Sequence, residues 1–118
     1  MRFEETVSGD VLVVKVMQPR IAADVAGDFK KSLVEAVSRA DRAIVLDLTG
    51  LTFIDSMGLG GLIAALKALK EDGNLVLCGV SHSILSMFKL TRMDKIFRMF
   101  GTAEEAVAAL THDASRPA

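Results

Sequence analysis

The chain has no tryptophan and no tyrosine among its 118 residues, and only six phenylalanines. It therefore lacks the aromatic platforms on which single-stranded nucleic acids stack. Its one cysteine, Cys78, rules out an internal disulfide and leaves no cysteine cluster for zinc. Neither sign of charge dominates: 14 Lys and Arg against 15 Asp and Glu leave a formal net charge of -1, which gives no field to gather nucleic acid or an anionic membrane. Long hydrophobic runs are missing as well. The longest apolar stretch, Met57 to Leu66, is too short to span a bilayer, and the opening "MRFEETVSGD" has no apolar segment of the signal-peptide kind. The expectation is a cytoplasmic protein that binds no nucleic acid and inserts into no membrane.

What is present is enough for one core. Half the residues are hydrophobic, and a chain of this length buries about two thirds of the surface its unfolded form exposes. Arg2 to Val7 alternate weakly, Ser8-Gly9-Asp10 signals a turn, and Val11 to Met17 is rich in β-branched residues, so an N-terminal antiparallel hairpin is predicted. After Pro19, the spacing of Val25, Phe29, Leu33, Ala36 or Val37, and Ala40 predicts an amphipathic helix with Asp24 as its N-cap. Ala43 to Leu48 is apolar at nearly every position, as a central strand covered on both faces should be. A second helix is predicted from Met57 to about Glu71, a strand from Asn74 to Val80, and a short helix from about Ser83 to Leu90. A last strand is predicted over Lys95 to Phe100, and Thr102 with Glu105 forms a capping box for a helix ending near Leu110. The fold class is thus α/β: one domain over residues 1–110, with a mixed five-stranded sheet, an N-terminal hairpin and about four helices. Residues 111–118 read as a flexible tail.

The stretch "FIDSMGLGGLI", Phe53 to Ile63, holds the chemistry. Three glycines open a helix although each costs roughly 1 kcal/mol against alanine in a helix interior. Leu59, Leu62, Leu66 and Leu69 lie on a large face; Gly58, Gly61, Ala65 and Ala68 lie on a small one, suited to close packing. Four readings of Asp55 and Ser56 compete. In the plainest, Ser56 is only the N-cap, its hydroxyl accepting from the Gly58 or Leu59 amide. A phosphate-binding glycine loop fails on spacing, because Gly58-x-Gly60-Gly61 is neither G-x-G-x-x-G nor a Gly-Lys-Ser/Thr loop. A serine nucleophile would need a base, and the only histidines are His82 and His112, with no G-x-S-x-G elbow. The fourth reading makes Ser56 a phosphoacceptor. Phosphate at a helix N-terminus meets free amides and the positive end of the dipole, with Gly58 letting it come close. The fold survives, while a partner covering the site is repelled by a dianion beside Asp55.

The run "IVLDLTGLTFIDSMGLGGLIAALK", Ile44 to Lys67, resembles the STAS domain of bacterial anti-sigma factor antagonists, where a strand leads through D-L-[ST]-x-[VL]-x-F-[ILM]-D-S-[ST]-G-L-G into a helix. The flanks "LVVKVMQPRIAADVAGDFKKSL" and "LVLCGVSHSILSMFKLTRMDKIFRMFGTAEEAVAAL" are similar to that family too, so residues 3–110 are covered. The resemblance implies a protein-binding module without enzymatic activity of its own. It implies a partner, an anti-sigma factor that is itself a serine kinase of the ATPase-kinase fold, and a PP2C-type phosphatase that reverses the phosphorylation. It places the phosphoacceptor at Ser56 and the partner-binding motif at Asp55, Ser56, Met57, Gly58, Leu59 and Gly60. ATP belongs to the kinase, so no cofactor is expected here. The same fold also serves as a non-switching scaffold or accessory to a membrane transporter.

Three positions depart from that pattern. Met57 replaces the motif's second Ser or Thr, leaving Ser56 as its only acceptor. Pro19 and Ala22 replace the glycine and the acid of a G-R-L-D turn after the second strand, which removes a negative charge from a loop that adjoins the phosphoacceptor in the family. Elsewhere, Cys78 reads as a small buried hydrophobe. The methionines read mainly as core filler, with Met57, Met87 and Met93 as the alternative makings of an adaptable surface. Lys89, Arg92, Lys95 and Arg98 read as a solvated basic face.

Overall fold

The computed structural model describes residues 2–115, with side chains described through residue 111. In chain order the elements are β1 (Phe3–Ser8), β2 (Val11–Val16), β3 (Arg20–Ile21), α1 (Ala23–Arg39), β4 (Ala43–Asp47), β5 (Phe53–Ile54), α2 (Ser56–Lys67), β6 (Leu75–Cys78), α3 (His82–Leu90), a 3-10 turn (Met93–Lys95), β7 (Met99–Phe100) and α4 (Ala103–Ser115). β1 and β2 form the expected hairpin, turning through Gly9 at a φ of 60°, a left-handed value that glycine adopts without a Cβ penalty. The main sheet runs β1-β2-β4-β6-β7, with only the β1–β2 pair antiparallel.

Strand periodicity explains how the sheet is covered on both faces. On β2, β4 and β6 the residues Val14, Val16, Ile44, Leu46, Leu75 and Leu77 enter one core with Phe29, Leu33 and Val37 of α1, Leu59, Leu62 and Ala65 of α2, and Ile84 and Phe88 of α3. Their neighbours Val11, Val45, Val76 and Cys78 point the other way, into a smaller core closed by Ala106 and Leu110 of α4. A strand buried on both sides has no polar face to alternate with, which is why β4 and β6 read as continuous apolar runs.

Several boundaries differ from those predicted. α1 begins at Ala23 and its N-cap is Ala22, whose side chain makes no capping bond; Asp24 instead sits in the first turn, where a carboxylate suits the helix dipole. α2 ends at Lys67, well before Glu71. α3 starts at His82, because Ser81 rather than a later serine accepts from the Ile84 amide, at 3.3 Å. The strand predicted over Lys95 to Phe100 shrinks to Met99–Phe100: Met93 and Phe97, four residues apart, both enter the core, and the Phe97 amide donates to the Met93 carbonyl at 3.1 Å. A helical turn buries that pair where a strand would separate it. At the other end Thr102 caps α4, its hydroxyl accepting from the Glu105 amide at 3.1 Å. That helix continues past Leu110 to Ser115, and of the tail expected over 111–118, residues 116–118 lie outside the described residues.

Candidate functional site

The pair β3 and β5 was not foreseen, and it builds the site. Two residues each, they run parallel in the register Arg20 with Phe53 and Ile21 with Ile54. The Thr52 amide donates to the Pro19 carbonyl at 2.8 Å, the Thr52 hydroxyl to the same oxygen at 3.0 Å, and the Asp55 amide to the Ile21 carbonyl at 3.1 Å. Pro19 serves here as an acceptor, a role that its missing N–H does not compromise. Ile21 and Ile54 are fully buried, so Arg20 and Phe53, one step along each strand, face outward. The Arg20 guanidinium lies 4.6 Å from the centre of the Phe53 ring. Sequence reasoning missed both of these residues, although the alternation with the buried isoleucines was the signal that could have found them.

Immediately after this tie, Asp55 takes the N-cap of α2: its backbone is extended and its Oδ1 accepts from the Gly58 amide at 2.9 Å. This corrects the reading of Ser56 as the cap. The acid one residue earlier already has the position, so Ser56 is the first helical residue, exposed, and its hydroxyl holds no hydrogen bond among the described residues. Met57 is 57% exposed, Gly60 is exposed, and Phe53 is 37% exposed, so the segment that holds the serine also shows apolar side chains to solvent. Leu59, by contrast, belongs to the core. Met93, offered as surface together with Met57, is buried, and Met87 packs against the core.

The three glycines have different reasons. A Cβ on Gly58 would come within 2.5 Å of Ile54 Cγ1 and 3.0 Å of Ile21 Cγ2, so this glycine lets the helix start sit on the β3–β5 pair. It faces inward, which corrects the idea that it makes room for a phosphate. A Cβ on Gly61 would stand 3.0 Å from the Phe29 ring, so this glycine lets α2 lie close on α1, as the small face suggested. On Gly60 a Cβ would meet nothing within 4 Å.

Other candidates stay apart from this surface. His82 is exposed at the start of α3 and makes no hydrogen bond to Ser56 among the described residues, and the side chain of His112 lies outside them. No group of three or more His, Cys, Asp or Glu side chains is placed to hold a metal among the described residues. Cys78 is fully buried, and burial first, then the Asp47 charge and a hydrogen bond to it, push its thiol up to about 12. A groove between β1 and α4, lined by Glu4, Lys15, Asp47 and Glu104 among others, lies on the α4 side of the sheet and does not include Ser56. No helix among the described residues is long and apolar enough to cross a membrane.

Comparison with known proteins agrees with the fold. A candidate anti-sigma factor antagonist of Bordetella bronchiseptica, BtrV, is 29% identical over 101 residues, covering 85% of this chain and 87% of its own. The solved STAS-domain anti-sigma factor antagonist of Planctomyces limnophilus superposes with a TM-score of 0.82 at 25% identity, over 92% of this chain and 96% of that one. SpoIIAA, an anti-sigma factor antagonist solved in unphosphorylated and phosphorylated forms, matches in fold: the unphosphorylated form gives a TM-score of 0.75 at 18% identity, over 94% of this chain and 97% of that one. A murine anion transporter, Slc26a9, contains a region of the same fold, with a TM-score of 0.71 at 16% identity; it spans 87% of this chain and 18% of the transporter. The model of the STAS domain matches residues 2–106, which is nearly the whole described chain, and the chain belongs to the STAS domain family.

Proposed function

We propose that this chain is an anti-sigma factor antagonist whose binding is switched by phosphorylation of Ser56. In its unphosphorylated form it docks an anti-sigma factor serine kinase through Ser56, Met57, Gly60 and the neighbouring Phe53. Phosphorylation by that kinase ends the complex, and a PP2C-type phosphatase restores it. The observation that carries the reading is the hydroxyl of Ser56: exposed, relieved of capping by Asp55, and next in sequence to the exposed Met57 at a helix start. A dianion there stays in water in the free protein. In a complex it is buried against a partner beside Asp55, where desolvation and like-charge repulsion both oppose it.

The test uses the purified chain as bait. The wild type and Ser56→Ala are expected to hold a protein identified by mass spectrometry as an ATP-binding serine kinase, and Ser56→Asp to lose it. Added ATP is expected to place phosphate on Ser56 of the wild type and none on Ser56→Ala. Equal capture by Ser56→Asp, or phosphate at another residue, overturns the reading.

A further inference from the structure

Arg20 and Phe53 stand opposite each other in register, with the guanidinium 4.6 Å from the ring centre. Among the described residues that guanidinium meets no carboxylate. Two positions on, where the G-R-L-D turn has its acid, this chain has Ala22. The loop therefore carries an arginine and, from Met17 to Ala23, no acid to offset it. Ser56 begins three residues after Phe53, and the amide of Asp55 is bonded to Ile21, the residue that follows Arg20. Neighbouring strands lie about 4.8 Å apart, so the backbone of Arg20 is one strand spacing from the segment that leads straight into Ser56. A long cationic side chain is stacked on a ring three residues ahead of an unbonded hydroxyl.

We propose that Arg20 is the counter-charge for phosphorylated Ser56: on modification its guanidinium leaves the Phe53 ring and pairs with the phosphate. This rests on the reading of Ser56 as the phosphoacceptor. An exposed cation–π contact is weak, whereas arginine and phosphate form charge-assisted, bidentate hydrogen bonds that are among the strongest polar contacts. The exchange asks only for a side-chain rotation, because the β3–β5 hydrogen bonds hold the backbone on both sides. The acids around the site leave room for such a role. Asp55 caps α2 directly before Ser56 and Asp24 lies in the first turn of α1; both carry the sign of a phosphate, and Arg20 carries the opposite one. Moving that arginine also uncovers Phe53, so phosphorylation changes the shape of the docking surface as well as its charge.

The experiment uses the full chain with phosphoserine installed at position 56 during translation. Phosphorus NMR then follows the second ionisation of the phosphate, ordinarily near pH 6. In the wild type its midpoint is expected to lie roughly half a pH unit below that of Arg20→Gln, the size expected of one exposed ion pair, with Arg20→Lys retaining part of the shift. Proton NMR supplies a second reading on the wild type alone: the Arg20 δ-methylene protons, shielded by the Phe53 ring, are expected to move downfield when Ser56 carries phosphate. Equal midpoints in the wild type and Arg20→Gln overturn the pairing; should Arg20→Gln not fold, unmoved δ-methylene protons overturn it. No kinase or partner enters the measurement, so capture that is indifferent to Ser56→Asp would end the switch reading without touching this result.

Discussion

The Asp55 carboxylate accepts the Gly58 amide at 2.9 Å and so starts α2, leaving the adjacent serine free of any structural duty. The acid has its task in folding, and the hydroxyl beside it is left on the surface. Asp55→Ala is expected to destabilise the protein by about 1 kcal/mol, the ordinary cost of losing a cap, with a smaller loss for Asp55→Asn. Urea denaturation measures both.

Ser56→Asp is expected to unfold within about 0.5 kcal/mol of the wild type, as exposed substitutions away from packed or bonded groups do. Circular dichroism and thermal melting check this. The result matters because it assigns any lost binding to the surface and not to the fold.

The glycines of α2 are expected to respond with opposite signs. Gly60→Ala adds a Cβ in open space and gains helix propensity, up to about 1 kcal/mol of stability. Gly58→Ala drives a Cβ against Ile54 and Ile21, and overpacking of that kind costs typically 1–3 kcal/mol, which outweighs the propensity gain. Gly61→Leu is expected to be worse than either, since its side chain must displace Phe29, itself fully buried. Denaturation midpoints of the three variants decide the order.

Cys78 is expected to resist thiol reagents in the native protein at pH 8 and to react fully in denaturant, because its buried thiol is pushed up to about 12. The same shift sets a stability slope. A thiol harder to ionise when folded contributes stability that is complete below the unfolded value near 9.0 and is lost as pH rises toward 12. Between those limits the loss approaches about 1.4 kcal/mol per pH unit. The chain has no tyrosine to add a phenolate to this range. Cys78→Ala is expected to flatten the slope when stability is measured from pH 8 to pH 11.

Where side-chain pattern dictates structure, the sequence was legible. The apolar runs of β4 and β6, the periodicity of α1 and the Thr102 cap of α4 each followed from period and chemistry. The five-stranded mixed sheet was legible in the same way. Short contacts between distant segments were not. β3 and β5 have two residues each, too few for alternation to stand out, and their pairing is fixed by Thr52, Pro19 and Ile21 meeting in space. The site was half visible for the same reason. Ser56 and its neighbours lay in one motif, while Arg20 lies 36 positions earlier and joins them only through that pairing. Gly58 shows the limit from the other side: its presence was noted, but whether it faced a ligand or Ile54 depended on where the helix began.

The two-stranded tie has a consequence for how an enzyme would have to read Ser56. Serine protein kinases that recognise linear motifs take their substrates as extended chain. Here the backbone before the serine is held in a ladder and the backbone after it is helical, so no free peptide is on offer. A kinase acting on Ser56 must fit the folded face, and a synthetic peptide spanning the same residues presents it with little that it can grip. On the proposed reading, recognition and modification fall to the same surface, and the complex that the phosphate would dissolve is also the one that puts it there.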